Sequence, residues 1–176
     1  MSQKDLSTLV KGPYRLQVDY STGLKDALAE GRFAWVNDRL TSANFPAPQA
    51  GTATLSGTLV PFSAEASLDY VRSQAAPGTR PATLWELLAF AKAYPDVQTR
   101  LDVIGLGSYA DLIVNTYESF PAGNGTDSSA RIVHVIPRLE RLYPYLAGNP
   151  PGRMVGLEWL GDPAGYETYY ALFVSP

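Results

Sequence analysis

Cysteine is absent from the 176-residue chain. That excludes disulfides, thiolate nucleophiles and cysteine-based zinc or iron–sulfur sites, and it fits a reducing compartment. Histidine occurs once, as His134, so an imidazole-based triad or metal site would have to centre on that residue. Positive charge is sparse: 14 Lys and Arg against 17 Asp and Glu leave a net charge of −3, and the basic residues are scattered singly. DNA, RNA and anionic lipid are bound through clustered Lys and Arg, so neither nucleic acid nor a membrane is an expected partner. No apolar run approaches the roughly 18 residues of a membrane span. The opening residues MSQKDLSTLVKGPYRL also lack the apolar stretch of a secretory signal, and the expected location is cytoplasmic. G-x-S-x-G, H-E-x-x-H, Walker A and EF-hand spacings are missing as well. Neither a cofactor nor a metal is expected.

What is present is a chain 45% hydrophobic with 14 Pro and 15 Gly. This length and composition suit one globular domain over 1–176, with 1–12 as an arm, built from compact elements joined by many turns. Tyr14, Leu16, Val18 and Tyr20 alternate with Arg15, Gln17 and Asp19, the pattern of a strand wet on one side. A short helix over Leu24, Ala27 and Leu28 is expected to end at Gly31. The aperiodic stretch RFAWVNDRLTSANFPAPQAG reads as an ordered loop pinned by Phe33, Trp35 and Phe45. Thr52 to Phe62 reads as a strand with a bulge or bend at Gly57, and Ser63 to Gln74 as a helix with Leu68 and Val71 inward.

The clearest signal is ATLWELLAFAKAYPDVQTRLDVIGLGS, residues 82–108. Thr83 and Glu86 have capping-box spacing, Leu84, Leu87, Leu88 and Ala91 form an apolar stripe, and Pro95 is the stop. A central strand over Leu101 to Leu106 follows. Beyond it, Leu112 to Tyr117 and Ile132 to Ile136 read as strands, the latter apolar on both faces, and Pro137 to Leu146 has helical spacing limited by Pro144. Met154 to Trp159 and Thr168 to Val174 read as a C-terminal hairpin. The expected fold class is α+β, with a mixed or mainly antiparallel sheet and about three helices packed mostly on one face.

Gly105-Leu106-Gly107-Ser108-Tyr109-Ala110 fits G-x-G-x-x-G/A after a strand. Tyr109 to Tyr117 lacks the helical pattern that would present an N-terminus to pyrophosphate, so a strand-end turn with close-packed glycines is the expected role. His134 lies among Ile132, Val133, Val135 and Ile136, which favours a hydrogen-bonded structural residue. Asp19, Glu86, Asp102 and Glu158 could serve acid–base work but read as surface or capping groups. Trp85 and Trp159 read as core. Asn124-Gly125-Thr126 matches a glycosylation sequon and reads as a turn.

No catalytic residue emerges. The binding-loop candidates are Phe33, Trp35, Asn37, Asp38, Asn44 and Phe45, aromatics and amides in an aperiodic segment. The expected function is a non-catalytic module that binds another protein or forms a homodimer. It should show an apolar surface patch or a self-complementary sheet edge. The alternatives are a small-molecule or carbohydrate-binding protein, or a small carboxylate-dependent enzyme whose acidic groups converge in a pocket.

Overall fold

The alternation of apolar and polar residues at the start of the chain produces β1 (Tyr14–Asp19), with side chains buried and exposed in strict turn. The computed structural model describes residues 12–63, 66–115, 130–142, 152–159 and 168–176. The sequon at 124–126, most of the arm, residues 143–146 and the loop at 161–165 lie outside them. Next along the chain come α1 (Leu24–Glu30), β2 (Trp35–Val36), β3 (Thr52–Ser63), α2 (Leu68–Ser73), β4 (Arg80–Pro81) and α3 (Leu84–Ala93). They are followed by α4 (Pro95–Gln98), β5 (Asp102–Ile104), β6 (Ala110–Asn115), β7 (Ala130–Leu142), β8 (Gly152–Trp159) and β9 (Thr168–Ser175).

The strands form one mixed sheet in the order β1-β3-β9-β5-β7-β8-β2, with β4 on β9 and β6 on β7. β5 with β9 and β2 with β8 are parallel; the remaining pairs are antiparallel. The α+β class with a mixed sheet is therefore what the chain builds, with four helices among the described residues instead of about three. The extra one arises at Pro95. Proline ends α3, and its fixed φ and missing N–H suit the first position of the next helix, α4.

The main core gathers Leu24 of α1, Leu84, Leu87, Leu88 and Phe90 of α3, and Val97 of α4 against Leu16, Leu59, Val103, Val135, Leu139, Val155 and Leu172. A second cluster joins Val71 of α2 to Ile104, Leu106, Ile136, Tyr169, Ala171 and Phe173. Neighbours such as Val103 and Ile104, or Leu172 and Phe173, fall into different clusters because successive strand residues point to opposite faces. Each buried leucine contributes on the order of 2 kcal/mol.

Several expectations are corrected. The helix expected from Ser63 begins only after Ser67, whose hydroxyl accepts from Tyr70 N–H at 3.2 Å; Ser63 ends β3, where pairing with Thr168 holds it extended. Gly57 makes no bulge, since it pairs in register with Tyr14 and Val174. It is needed for close approach, because a Cβ there would stand 3.2 Å from Leu172 Cδ1. Residues 101 and 105–106 fall outside the central strand, which is cut to Asp102–Ile104. The helix expected from Pro137 is the second half of β7, paired from Val135 to Leu142 with β8. Finally, β8 and β9 form no hairpin; β5 and β7 lie between them.

Candidate functional site

β6 and β7 pair from Ala110↔Val135 to Asn115↔Ala130, while β8 joins β7 only from Val135 onward. Among the described residues, the first residues of β7 and β6 from Asp111 onward thus run past β8 as a two-stranded ribbon. On one face Ala110, Leu112, Val133 and Val135 are buried in the main core. On the other, Ile113 and Ile132 sit directly opposite each other and are 64% and 67% exposed, with Tyr109, just before β6, 65% exposed. These are three of the five large hydrophobic residues that stand exposed among the described residues, the others being Trp35 and Tyr70. The expectation that Ile132 to Ile136 is covered on both faces is therefore corrected at Ile132 and His134. Among the described residues, no strand pairs with Ile132 or His134 on the β8 side of β7.

His134 is held on this ribbon by Asp111, its cross-strand partner, with Nδ1 2.5 Å from Oδ1 and both side chains more than half exposed. A histidine oriented by a carboxylate is two-thirds of a hydrolytic triad. Its neighbours on that face, Ile113 and Ile132, offer no nucleophile, and the pair sits on open surface and not in a cleft. The pair is a polar contact next to the exposed Ile113 and Ile132.

A second constellation lies farther along the same face of β7. Arg138 donates to Asp102 at 3.3 Å and to Glu158, stands 3.1 Å from Glu140, and packs its guanidinium 4.9 Å from the centre of the Tyr169 ring. All four charged side chains are at most about a fifth exposed. Burial opposes the charge on Arg138, but Glu140, Asp102 and Glu158 outweigh it and drive the guanidinium pKa further up. Asp102 and Glu158 are therefore corrected from surface groups to members of a half-buried ion cluster. Sequence reasoning missed Arg138 altogether. Arg138 meets all three carboxylates and so ties β5, β7 and β8 together.

The binding-loop candidates do not converge. Phe33 is half-buried and lies 5.5 Å from the Arg153 guanidinium; Phe45 is 2% exposed and belongs to the core. Asn37 accepts from Arg39 N–H at 2.9 Å, and Asn44 donates to Arg39 C=O at 2.8 Å, so both amides stabilise their own loop. Asp38 is exposed, 3.9 Å from Arg39 Nε. Trp35 is 41% exposed and pairs as β2 with Met154 of β8. Its ring lies over β8, with Cζ3 3.8 Å from where a Cβ on Gly156 would stand.

Residues 82–108 behave as a scaffold. Glu86 is fully buried and its carboxylate receives four donors: Thr83 N–H at 2.6 Å, Arg80 at 2.9 and 2.6 Å, and the Tyr20 hydroxyl. Burial pulls this carboxyl up, but the bonds from Arg80, Tyr20 and Thr83 prevail and hold it below the usual range. Burial, reinforced by Glu86, pushes the Tyr20 phenol up to about 12. Gly107 packs so tightly that a Cβ would lie 2.6 Å from Pro81 C=O, and Ser108 Oγ accepts from Leu84 N–H at 3.0 Å, serving an orphan donor at the start of α3. β6 follows this turn, so no helix begins there; the turn packs instead against the start of α3, with Gly107 N–H donating to Ala82 C=O at 2.8 Å. Trp85 is buried, as expected of a core residue. A cavity of about 70 Å³ lined by Asp19, Thr22, Glu30, Trp85 and Lys92 is far below the ~300 Å³ at which small-molecule sites begin.

No group of His, Asp and Glu with metal-binding geometry occurs among the described residues. No helix there is long and apolar enough to cross a membrane. In comparisons with known proteins, no family model, curated protein or solved structure matches the chain.

Proposed function

We propose that this chain is a non-catalytic protein-binding module acting in the cytoplasm, and that the outer face of the β6–β7 ribbon is its recognition surface. The observation that carries this reading is the directly opposed, exposed pair Ile113 and Ile132 on the β6–β7 ribbon, with the exposed Tyr109 just before β6. Isolated exposed apolar side chains are ordinary, whereas a contiguous group framed by polar residues marks an interaction site. The Asp111–His134 pair supplies the polar element within it. The absence of cysteine fits a reducing compartment. Of the candidate carboxylates, Asp102 and Glu158 are engaged by Arg138 and Glu86 by Arg80.

The test is site-specific photo-crosslinking in cells, with the reactive residue placed at Ile113 or Ile132 and, as control, at the exposed Thr54 of β3. Discrete protein adducts are expected from the ribbon positions and not from Thr54. Adducts equally abundant from Thr54, or absent from both ribbon positions, would overturn the reading.

A further inference from the structure

We infer that the outer edge of β1 is a further binding site, which takes an extended segment of another protein as an added antiparallel strand and reads in it a basic residue followed by a small apolar one. The site is separate from the β6–β7 ribbon and does not depend on it.

Among the described residues β1 pairs only with β3. Arg15 shows which way the remaining backbone groups of the strand point. The Tyr94 hydroxyl accepts from Arg15 N–H at 3.0 Å and donates to Arg15 C=O at 3.2 Å, so both groups face away from β3. In an antiparallel strand this direction recurs at every second residue, hence at Gln17 and Asp19. The Asp19 C=O accepts from Thr22 N–H at 3.4 Å. The Gln17 N–H and C=O and the Asp19 N–H meet no partner among the described residues. An extended backbone offers the donors and acceptor that these three groups need.

Other strand edges are also open among the described residues, on β3, β6, β7 and β8. The edge of β1 is set apart by the cavity of about 70 Å³ beside it, which Gln17, Val18 and Asp19 all line. Successive side chains of a strand point to opposite faces, so a cavity lined by three consecutive residues lies along the strand's edge. Trp85, Leu88, Ala89 and Lys92 add one stripe of α3 to the lining. Glu30 of α1 completes it and accepts from Lys92 at 2.8 Å, tying the two helices together.

A residue paired antiparallel with Gln17 exchanges both hydrogen bonds with it. The residue before it then stands opposite Val18 and points to the face where Val18 meets Leu88 in the core, beside the cavity. That volume is roughly twice the ~30 Å³ share of one water, too small for an ordinary ligand and suited to the side chain of Ala or Val. One residue earlier, the segment stands opposite Asp19 and on the same face as its carboxylate. Asp19 Oδ1 accepts from Ser21 N–H at 2.9 Å, and no Lys or Arg pairs with this carboxylate among the described residues. A Lys or Arg at that position forms a cross-strand pair of opposite charge.

The test is selection of random heptapeptides displayed on phage against the full chain, followed by amide hydrogen exchange of the chain with a selected peptide. Enriched sequences are expected to carry Lys or Arg directly before Ala or Val. The peptide should slow exchange at Gln17 at least tenfold and leave Arg15, already held by Tyr94, nearly unchanged. Ala89→Arg fills the cavity with a good helix former, and Gln17→Pro removes the outward N–H. Each should weaken binding at least tenfold with an unchanged circular dichroism spectrum. The exchange at Gln17 is read on the unmodified chain and so does not depend on how either variant folds. A library that returns no binder, binders that lack the basic and small pair, or unchanged exchange at Gln17 would overturn the inference. Protection at Ile113 and Ile132 in place of Gln17 would also overturn it, while supporting the ribbon as the recognition surface.

Discussion

Glu86 and Arg138 carry opposite lessons about charge below the surface. Glu86 is a carboxylate met by four donors, whereas Arg138 is a cation that meets three acids. Replacing Glu86 by Gln removes the charge that Arg80 and Tyr20 were arranged around. We expect it to destabilise the fold by about 2 kcal/mol in urea titration, less than a fully buried pair costs because Arg80 is half exposed and can be rehydrated. The pH dependence follows from the shifts. Glu86 is held below its ordinary 4.5, so its contribution is complete above that pH and lost as pH falls through the lower folded value. Tyr20 is raised from 10.0 to about 12, so its contribution is complete below pH 10 and lost as pH rises toward 12. Y20F should therefore flatten the alkaline decline in urea midpoint, leaving the part due to Tyr14, which burial and Tyr94 also raise. Arg138→Met should cost about 3 kcal/mol. The check is a lowered urea midpoint relative to the unmodified chain.

At the scale of elements, α3 and its preceding turn depend on contacts from residues distant in the chain. Ser108→Ala leaves Leu84 N–H without its acceptor and should cost about 1 kcal/mol, as loss of a helix cap does. Tyr94→Phe unblocks the β1 edge at Arg15. It should lower stability by about 1 kcal/mol and increase light scattering on heating, which S108A should not. These contrasts also explain what the sequence made legible. β1 and α3 could be read because their signals are local: alternation over six residues, and Thr83 with Glu86 three apart. β7 could not, because Pro137 argues against a central strand unless its place in the sheet is known. Pro137 C=O accepts from Gly105 N–H at 3.0 Å, in the gap where β5, paired to residues 138 and 139, has ended and β6, paired up to 135, begins. Its missing N–H points where no acceptor strand runs. The Arg138 cluster was illegible for a related reason: Asp102 and Glu158 lie 36 and 20 residues away in sequence, and only strand order brings them together. The candidates in residues 33–45 looked functional because aromatics and amides occur in loops that bind and in loops that merely hold their shape. Asn37, Asn44 and Phe45 do the latter. The exposed ribbon was hidden because Ile113 and Ile132 have core composition, and only the length by which β7 outruns β8 uncovers them.

Over the whole molecule, the dominant fact is the placement of β9. It pairs with β3, β4 and β5, and its residues Leu172 and Phe173 enter the two core clusters separately. Leu172→Ala should therefore be among the costliest single truncations, about 3 kcal/mol or more, measured as a lowered urea midpoint. The same placement governs how the chain is made. Synthesis delivers β3 and β5 long before β9, so the two strands lack their common neighbour until residues 168–175 leave the ribosome. Proteins usually secure their earlier segments first as they emerge; here the last described strand is the keystone, and the nascent chain depends on being kept apart from its neighbours until that strand arrives.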